Sequence, residues 1–321
     1  MRSDKNKTID LTVEQGGEYL DRCLRSGESG ENCIILGDCF EALKALPEKS
    51  VDLLIADPPY NLDKDFGGSK FRHMNDSDYL EYTDKWVRAV LPLLKDTATV
   101  YVCCDWQSSG AVSAVLGRYF KIRNRITWQR EKGRGASKNW KNGCEDIWFA
   151  TVSDKYTFNV DAVKLRRRVV APYKRDGAPK DWEETADGKF RNTCPSNFWD
   201  DISVPYWSMA ENTAHPTQKP EKLLAKLILA GSNEGDMVLD PFAGSGSTCV
   251  TAKKLGRRFI GVELNPQYYV WAQLRLERQL RAGLQRRRIL GEEHRAAAAQ
   301  AQKKRAFAKE GSDRLNYLKS G

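Results

Sequence analysis

Met237-Val238-Leu239-Asp240-Pro241-Phe242-Ala243-Gly244-Ser245-Gly246-Ser247-Thr248 is the stretch that decides the fold. Its apolar start, Met237 to Leu239, reads as a buried strand. The glycines behind it permit a tight turn and close approach of backbone to a ligand, and a helix to about Leu255 follows. Arg258 to Val262 is the next apolar strand, and Glu263 ends it, 23 residues beyond Asp240. An acid at roughly that distance commonly bonds a ribose hydroxyl. Gly244-x-Gly246 lacks the third glycine of a dinucleotide fingerprint, since Cys249 stands there, and no Lys follows as a P-loop requires. An adenosine-bearing ligand without a pyrophosphate fits, because Asp240 repels phosphate and favours an ammonium or sulfonium.

The same alternation extends upstream. Cys33 to Leu36 reads as a strand, with a helix from about Phe40 to Leu46, and Val51 to Ala56 is a second buried strand. A helix near Asp78 to Leu94, a strand Thr97 to Cys103, a helix near Ser108 to Tyr119, and strands Arg125 to Gln129 and Asp146 to Val152 follow. From Tyr156 to Ala214 the period is lost in a stretch rich in Arg, Lys, Trp, Pro and Asn. It returns with a helix from about Glu221 to Gly231, and a last helix begins near Pro266 and runs, basic and Ala-rich, into the tail. Strands alternating with helices on both sides of one irregular insert predict an α/β fold with a doubly wound, mostly parallel sheet. The expected organisation is a poorly ordered polar leader (1–30), a catalytic half (31–155), an insert (156–214), a ligand-binding half (215–283) and a basic helical tail (284–321).

The chain has 321 residues, 40% hydrophobic and 30% charged, which suffices for a real core in one large or two modest domains. No run of 18 apolar residues occurs, so no membrane span is expected. The polar start Met1 to Asp10 lacks the apolar region of a secretory signal. Eight cysteines contain no C-x-x-C pair; Cys33, Cys39 and Cys103 lie in or beside apolar runs and read as buried free thiols. That suits a reducing cytosol. With three histidines, His73 and His294 read as surface residues, and no metal centre is expected. The net charge is +9, of which +8 falls between Ala272 and Gly321. Two basic clusters stand in the nearly neutral body, Lys121 to Lys141 (eight bases, one acid) and Lys164 to Lys180 (seven bases, one acid). Such clustering suits a polyanionic partner.

Two further motifs carry chemistry. Asp57-Pro58-Pro59-Tyr60 follows the strand Val51 to Ala56, and ligands of open α/β sheets bind outside the carboxyl ends of strands. Two prolines remove two N–H donors, leaving carbonyl acceptors beside the Asp57 carboxylate and the flat face of Tyr60. This constellation suits a planar ring bearing an NH2 group. His215-Pro216-Thr217-Gln218-Lys219-Pro220 gathers polar side chains able to hold a small carboxylate, although a polar cap for the next helix would look similar.

Together these three motifs resemble the amino-DNA methyltransferases of the beta arrangement, most of all the adenine-N6 enzymes of restriction–modification systems and solitary bacterial or phage methylases. The resemblance runs from about Cys33 to Leu276. It implies a Rossmann-like methyltransferase sheet with permuted motif order, S-adenosyl-L-methionine as cofactor, and double-stranded DNA as partner in a prokaryotic cytoplasm. Asp57, Pro58, Pro59 and Tyr60 would hold the flipped base. Asp240, Phe242, Ala243, Gly244, Ser245 and Gly246, with His215, Thr217, Gln218 and Lys219, would hold the methionine part of the cofactor. Glu263, with Asn265 beside it, would take the ribose hydroxyls, and Asp38 and Cys39 would lie near the cofactor adenine. The insert 156–214 occupies the place of the target-recognition region. A homodimer and a separately acting restriction endonuclease are compatible with the resemblance and unspecified by it.

Asp57 itself favours adenine, because cytosine-N4 enzymes of this group usually carry Ser there. RNA-base and protein-glutamine methyltransferases typically place the Pro-Pro-Tyr element after the Gly-rich turn, whereas here it comes about 180 residues before. A C5-cytosine enzyme would need a Pro-Cys dipeptide, and none occurs. The rival readings are a cytosine-N4 enzyme, an RNA base methyltransferase, and a DNA-binding regulator on an inactive scaffold. Arg130, Lys132, Arg134, Lys138 and Lys141 are candidates for phosphate contacts, and Arg166, Arg167, Arg168, Lys174 and Arg175 for DNA contacts from the insert. Trp128 and Trp148 read as core, Trp140 as either core or DNA contact, and the loop Asn61 to Asn75 as a cover for the base pocket or a plain surface loop.

Overall fold

The computed structural model describes residues 5–21, 23–28, 30–66, 69–130, 137–170 and 173–279. Two units are distinguished, residues 1–275 and 276–321; of the second, only 276–279 are described, and they are helical. In the first unit the main sheet and its principal helices run β1 (Leu24–Arg25), β2 (Cys33–Leu36), β3 (Val51–Ala56), α1 (Asp76–Val90), β4 (Leu94–Cys104), α2 (Ser109–Tyr119), β5 (Lys121–Gln129), β6 (Cys144–Thr151), β7 (Phe198–Trp199), α3 (Glu221–Gly231), β8 (Met237–Asp240), α4 (Ser247–Lys254) and β9 (Arg258–Glu263). Among the described residues no helix is long and apolar enough to cross a membrane.

The strands lie in the order β1-β2-β9-β8-β3-β4-β6-β5-β7. All neighbours from β1 to β4 are parallel, β6 is antiparallel to both β4 and β5, and β7 is parallel to β5. From β3 the chain winds outward to β4, and from β8 it winds the other way to β9. The topological switch point therefore lies between β3 and β8, where open α/β sheets bind ligands. The expected doubly wound sheet is the one observed.

Alternate residues of β3 serve opposite faces, as strand geometry requires. Leu54 and Ala56 share a core with Trp86 and Val87 of α1 and Val112 and Leu116 of α2. On the other side, Leu53 lies against Gly231 of α3, where a Cβ would come within 3.2 Å of its Cδ1. Helix α1 starts where Asn75 accepts from Asp78 N–H at 2.9 Å and buries Tyr79, Thr83, Trp86, Val87 and Val90 as one stripe. It begins before the expected Asp78 and stops before Leu94, because Leu91-Pro92-Leu93 tightens into a 3₁₀ turn.

Four expectations are corrected. The described part of the leader is built into the fold: Ile9 N–H donates to Asn212 O at 2.9 Å, and the Ile9 side chain packs against Tyr268 and Trp271. The segment after Tyr60 is a hairpin, Lys64–Phe66 against Ser69–Phe71, with Gly67 and Gly68 outside the described residues. The insert is β-rich, Gly188–Thr193 pairing with both Glu183–Thr185 and Leu165–Arg168. Its strands are short and largely solvated, so no buried stripe imposes a period. Cys33 and Cys39 are half-buried rather than buried; Cys103 is buried, and all three are free. The basic tail lies outside the described residues.

Arg275, 3% exposed, ties the Gly-rich turn to α3: it donates to Ser245 O at 2.7 Å, Ser247 Oγ at 2.9 Å and Glu221 Oε1 at 2.8 Å. Removing one partner of a buried pair leaves an uncompensated charge. Glu221→Gln should lower unfolding free energy by about 3 kcal/mol in urea titration; an unchanged midpoint would show that the serine contacts suffice.

Candidate active site

Three adjacent parallel strands end in acids at the carboxyl edge. Glu263 closes β9, Asp240 closes β8, and Asp57 directly follows β3. They line one cavity of about 350 Å³, within the roughly 300–1,000 Å³ typical of small-molecule pockets. The cavity runs from Asp38, Cys39, Glu263 and Asn265 at one end, past Asp240 to Ser245 and His215 to Lys219, to Asp57 to Tyr60 and Lys64 at the other.

The first end is built from backbone. Gly244 and Gly246 adopt φ of +52° and +75°, a region glycine enters without penalty. This folds Gly244 N–H onto Glu263 Oε2 at 2.7 Å, while Asn265 N–H donates to Oε1 at 2.7 Å. Phe242 N–H donates to Asp240 Oδ1 at 3.0 Å. Burial nevertheless pushes both carboxyls up, Asp240 to about 7 and Glu263 to about 7. Asp38 caps the turn Cys39–Ala42, accepting from Phe40 N–H at 2.8 Å. His215 packs edge-on against Tyr268, and burial lowers its pKa to about 3, so it is neutral.

The second end is built from charge. Lys219 Nζ lies 2.8 and 2.7 Å from the two carboxylate oxygens of Asp57, 3.0 Å from Tyr60 Oη, and 3.3 Å from Glu145 Oε2. Its side chain is 6% exposed and that of Glu145 4%. Burial alone would lower the Lys219 pKa, but Asp57 and Glu145 outweigh it and hold the ammonium firmly protonated. Tyr60 Oη is 3.0 Å from Asp57 Oδ1 and 3.1 Å from Glu145 Oε2, and burial followed by those two carboxylates drives its pKa far up. Arg130 holds the other oxygen of Glu145. Tyr79 Oη donates to Pro59 O at 3.1 Å, fixing the Pro-Pro turn.

The expected residues of all three motifs line this cavity except Gly246, which packs against Ala272 and Ile34, but their partners differ from expectation. Lys219 bonds Asp57 rather than standing open for a ligand carboxylate. Gln218 braces its own loop, accepting from Thr213 N–H at 2.9 Å and donating to Glu211 O at 2.7 Å. Thr217 N–H donates to His215 Nδ1 at 3.3 Å. Arg130, expected on phosphate, pairs with Glu145 behind the cavity-lining Lys219 and Tyr60. Arg166 stacks on Phe190 and pairs with Glu183, and Arg167, Arg168, Lys174 and Arg175 are exposed on the insert. Lys138, Lys141 and Trp140 are exposed beyond β5, and Lys132 and Arg134 lie outside the described residues. Trp128 is core and Trp148 half-buried. Glu145 and Lys64 escaped the sequence reading. The one signal for Glu145 was an acidic pair, Glu145-Asp146, opening an apolar strand just after a basic stretch.

A family model described as DNA methylase (N6_N4_Mtase) matches residues 51–273. The chain belongs to this DNA methylase family. It is 36% identical over 249 residues to the type II methyltransferase M.HpaI of Haemophilus parainfluenzae, covering 76% of this chain and 74% of that one. It is 35% identical over 251 residues to the DNA adenine methyltransferase YhdJ of Escherichia coli K12, covering 76% and 82%. Among solved structures, the cytosine-N4-specific PvuII DNA methyltransferase superposes with a TM-score of 0.57 at 18% identity, over 77% of this chain and 86% of that one. A putative DNA modification methylase of Thermus thermophilus, solved with S-adenosyl-L-methionine, gives 0.51 at 22%, over 79% and 95%. These two likenesses establish the fold.

The residues present fit S-adenosylmethionine. Asp240 and Glu263 are buried acceptors whose carboxylate forms are disfavoured until a cation or hydroxyl donors arrive. Protonation near pH 7 removes those acceptors, so affinity should fall as pH drops. Between pH 8 and 6 the dissociation constant should rise about tenfold for each carboxyl required ionised. Calorimetric titration checks this, and Asp240→Asn should flatten the profile; a wild-type affinity constant over that range would contradict the assignment.

Proposed function

We propose that the chain transfers the methyl group of S-adenosylmethionine to the N6 amino group of an adenine flipped out of duplex DNA. The observation that carries this reading is that the Asp-Pro-Pro-Tyr turn and the Asp240/Glu263 cradle open into one cavity. The cofactor supplies an electrophilic methyl on a sulfonium sulfur. Asp240 and Glu263 orient it, their oxygens prefixed by Phe242, Gly244 and Asn265 N–H groups. Asp57 and the Pro58 carbonyl accept the two amino protons, which frees the nitrogen lone pair from the ring. Tyr60 stacks on the base and substitutes for the stacking lost on leaving the duplex. Positioning and electrostatics lower the barrier, with no covalent intermediate on the protein. Asp57 takes the proton after the methyl has moved.

The exposed bases Lys138, Lys141, Arg167, Arg168, Lys174 and Arg175 are the DNA contacts of this reading, the insert supplying sequence recognition. A cytoplasmic site of action, on the nucleoid, follows from the substrate.

Purified protein incubated with S-adenosylmethionine and unmethylated DNA should yield N6-methyladenine in the digested nucleosides. Asp57→Ala should reduce the rate at least about 100-fold. N4-methylcytosine, or no methylated nucleoside from DNA, would overturn the reading.

A further inference from the structure

Lys219 occupies the acceptor that an incoming base needs. Its ammonium holds the two Asp57 oxygens at 2.8 and 2.7 Å and lies off the hydroxyl end of Tyr60, 3.0 Å from Oη and 5.2 Å from the ring centroid. An amino group settling on Asp57 competes with the ammonium for the same two oxygens, and with Tyr60 Oη for Oδ1. A buried ammonium cannot simply leave, since an unpaired charge in such a site is prohibitive. A second carboxylate stands ready: Glu145 Oε2 lies 3.3 Å from the same nitrogen.

Resting on the function proposed above, we infer that Lys219 is a placeholder for the target amino group and that Glu145 is the positioning residue that receives it when the base enters. The exchange keeps the ammonium on a carboxylate throughout, while Asp57 trades its cation for the neutral hydrogen-bond donors of Tyr60 and the base. Before entry, Lys219 neutralises Asp57. On entry its contact with Glu145 closes from 3.3 Å to about 2.8 Å, the normal length of a charge-assisted bond. Arg130 keeps its hold on the other Glu145 oxygen throughout. Tyr60 Oη reaches Asp57 and Glu145 at 3.0 and 3.1 Å and carries one proton. It donates that hydrogen bond to Asp57 as Lys219 departs, so the carboxylate passes from lysine to base without standing bare. The buried, doubly held Glu145 is thereby explained: it is too far into the site to serve DNA, and it touches the two side chains that must rearrange.

The test compares wild type, E145Q and K219M/E145Q in single-turnover methyl transfer, with thermal melting and cofactor titration as folding controls. With no carboxylate to move to, Lys219 in E145Q should stay on Asp57. The transfer rate should fall about 100-fold, the loss expected when reacting groups are held out of place, with cofactor affinity unchanged. Removing Lys219 as well should abolish the need for Glu145, so K219M/E145Q should recover at least about tenfold over E145Q. A structural role for Glu145 predicts the opposite, a double variant no better than the single. E145Q at wild-type rate, or no recovery in the double variant, overturns the inference. Should either variant fail to fold, the wild-type complex with target duplex and a non-reactive cofactor analogue decides. Lys219 bonded to Glu145 supports the inference, and Lys219 still on both Asp57 oxygens with the base in the pocket overturns it. Absence of N6-methyladenine from wild type would instead remove the functional reading beneath.

Discussion

Asp57 and Lys219 are 162 residues apart in sequence and 2.7 Å apart in the site. Their ion pair joins the half of the chain that carries the Pro-Pro-Tyr turn to the half that carries the Gly-rich turn, at the switch point between β3 and β8. Desolvation is what makes the contact consequential. Lys219 is 6% exposed, and Asp57 and Glu145 share it. Stripping one partner from such a cluster typically costs about 3–5 kcal/mol. The two halves are therefore held in the one register that makes a single cavity of both.

The permuted order of motifs has a physical basis in the parallel sheet. β9, β8 and β3 lie side by side with their carboxyl ends at one edge, so Glu263, Asp240 and Asp57 line one trough whatever their order along the chain. The acids are managed differently along it. Asp57 carries a lysine, whereas Asp240 and Glu263 are held mainly by backbone N–H groups and are raised towards neutral pH by burial. The first arrangement stores an acceptor behind a removable cation. The second leaves an attraction for a cation that the fold does not supply.

Much of this was legible in the sequence, for identifiable reasons. Apolar runs at Cys33–Leu36, Val51–Ala56 and Arg258–Glu263 are buried on both faces, so strand and turn boundaries were sharp. Asp57, Asp240 and Glu263 were legible because each follows or ends such a run. Glu145 was not, because its role comes from a non-local contact with Lys219 that no spacing along the chain records. The leader misled for the same reason: Ile9 is polar-flanked in sequence and buried only because Tyr268 and Trp271 lie across from it. The insert gave no periodic signal, since its short strands bury little on either face.

The central claim is that the target base comes to rest on Tyr60, beside Asp57. The most direct measurement is photocrosslinking with duplexes carrying 5-iodouracil in place of the target adenine, followed by peptide mapping. A crosslink at Tyr60 that disappears in Tyr60→Ala is the expected result. Crosslinks confined to the insert 156–214, with none in the Asp57–Tyr60 turn, would contradict it.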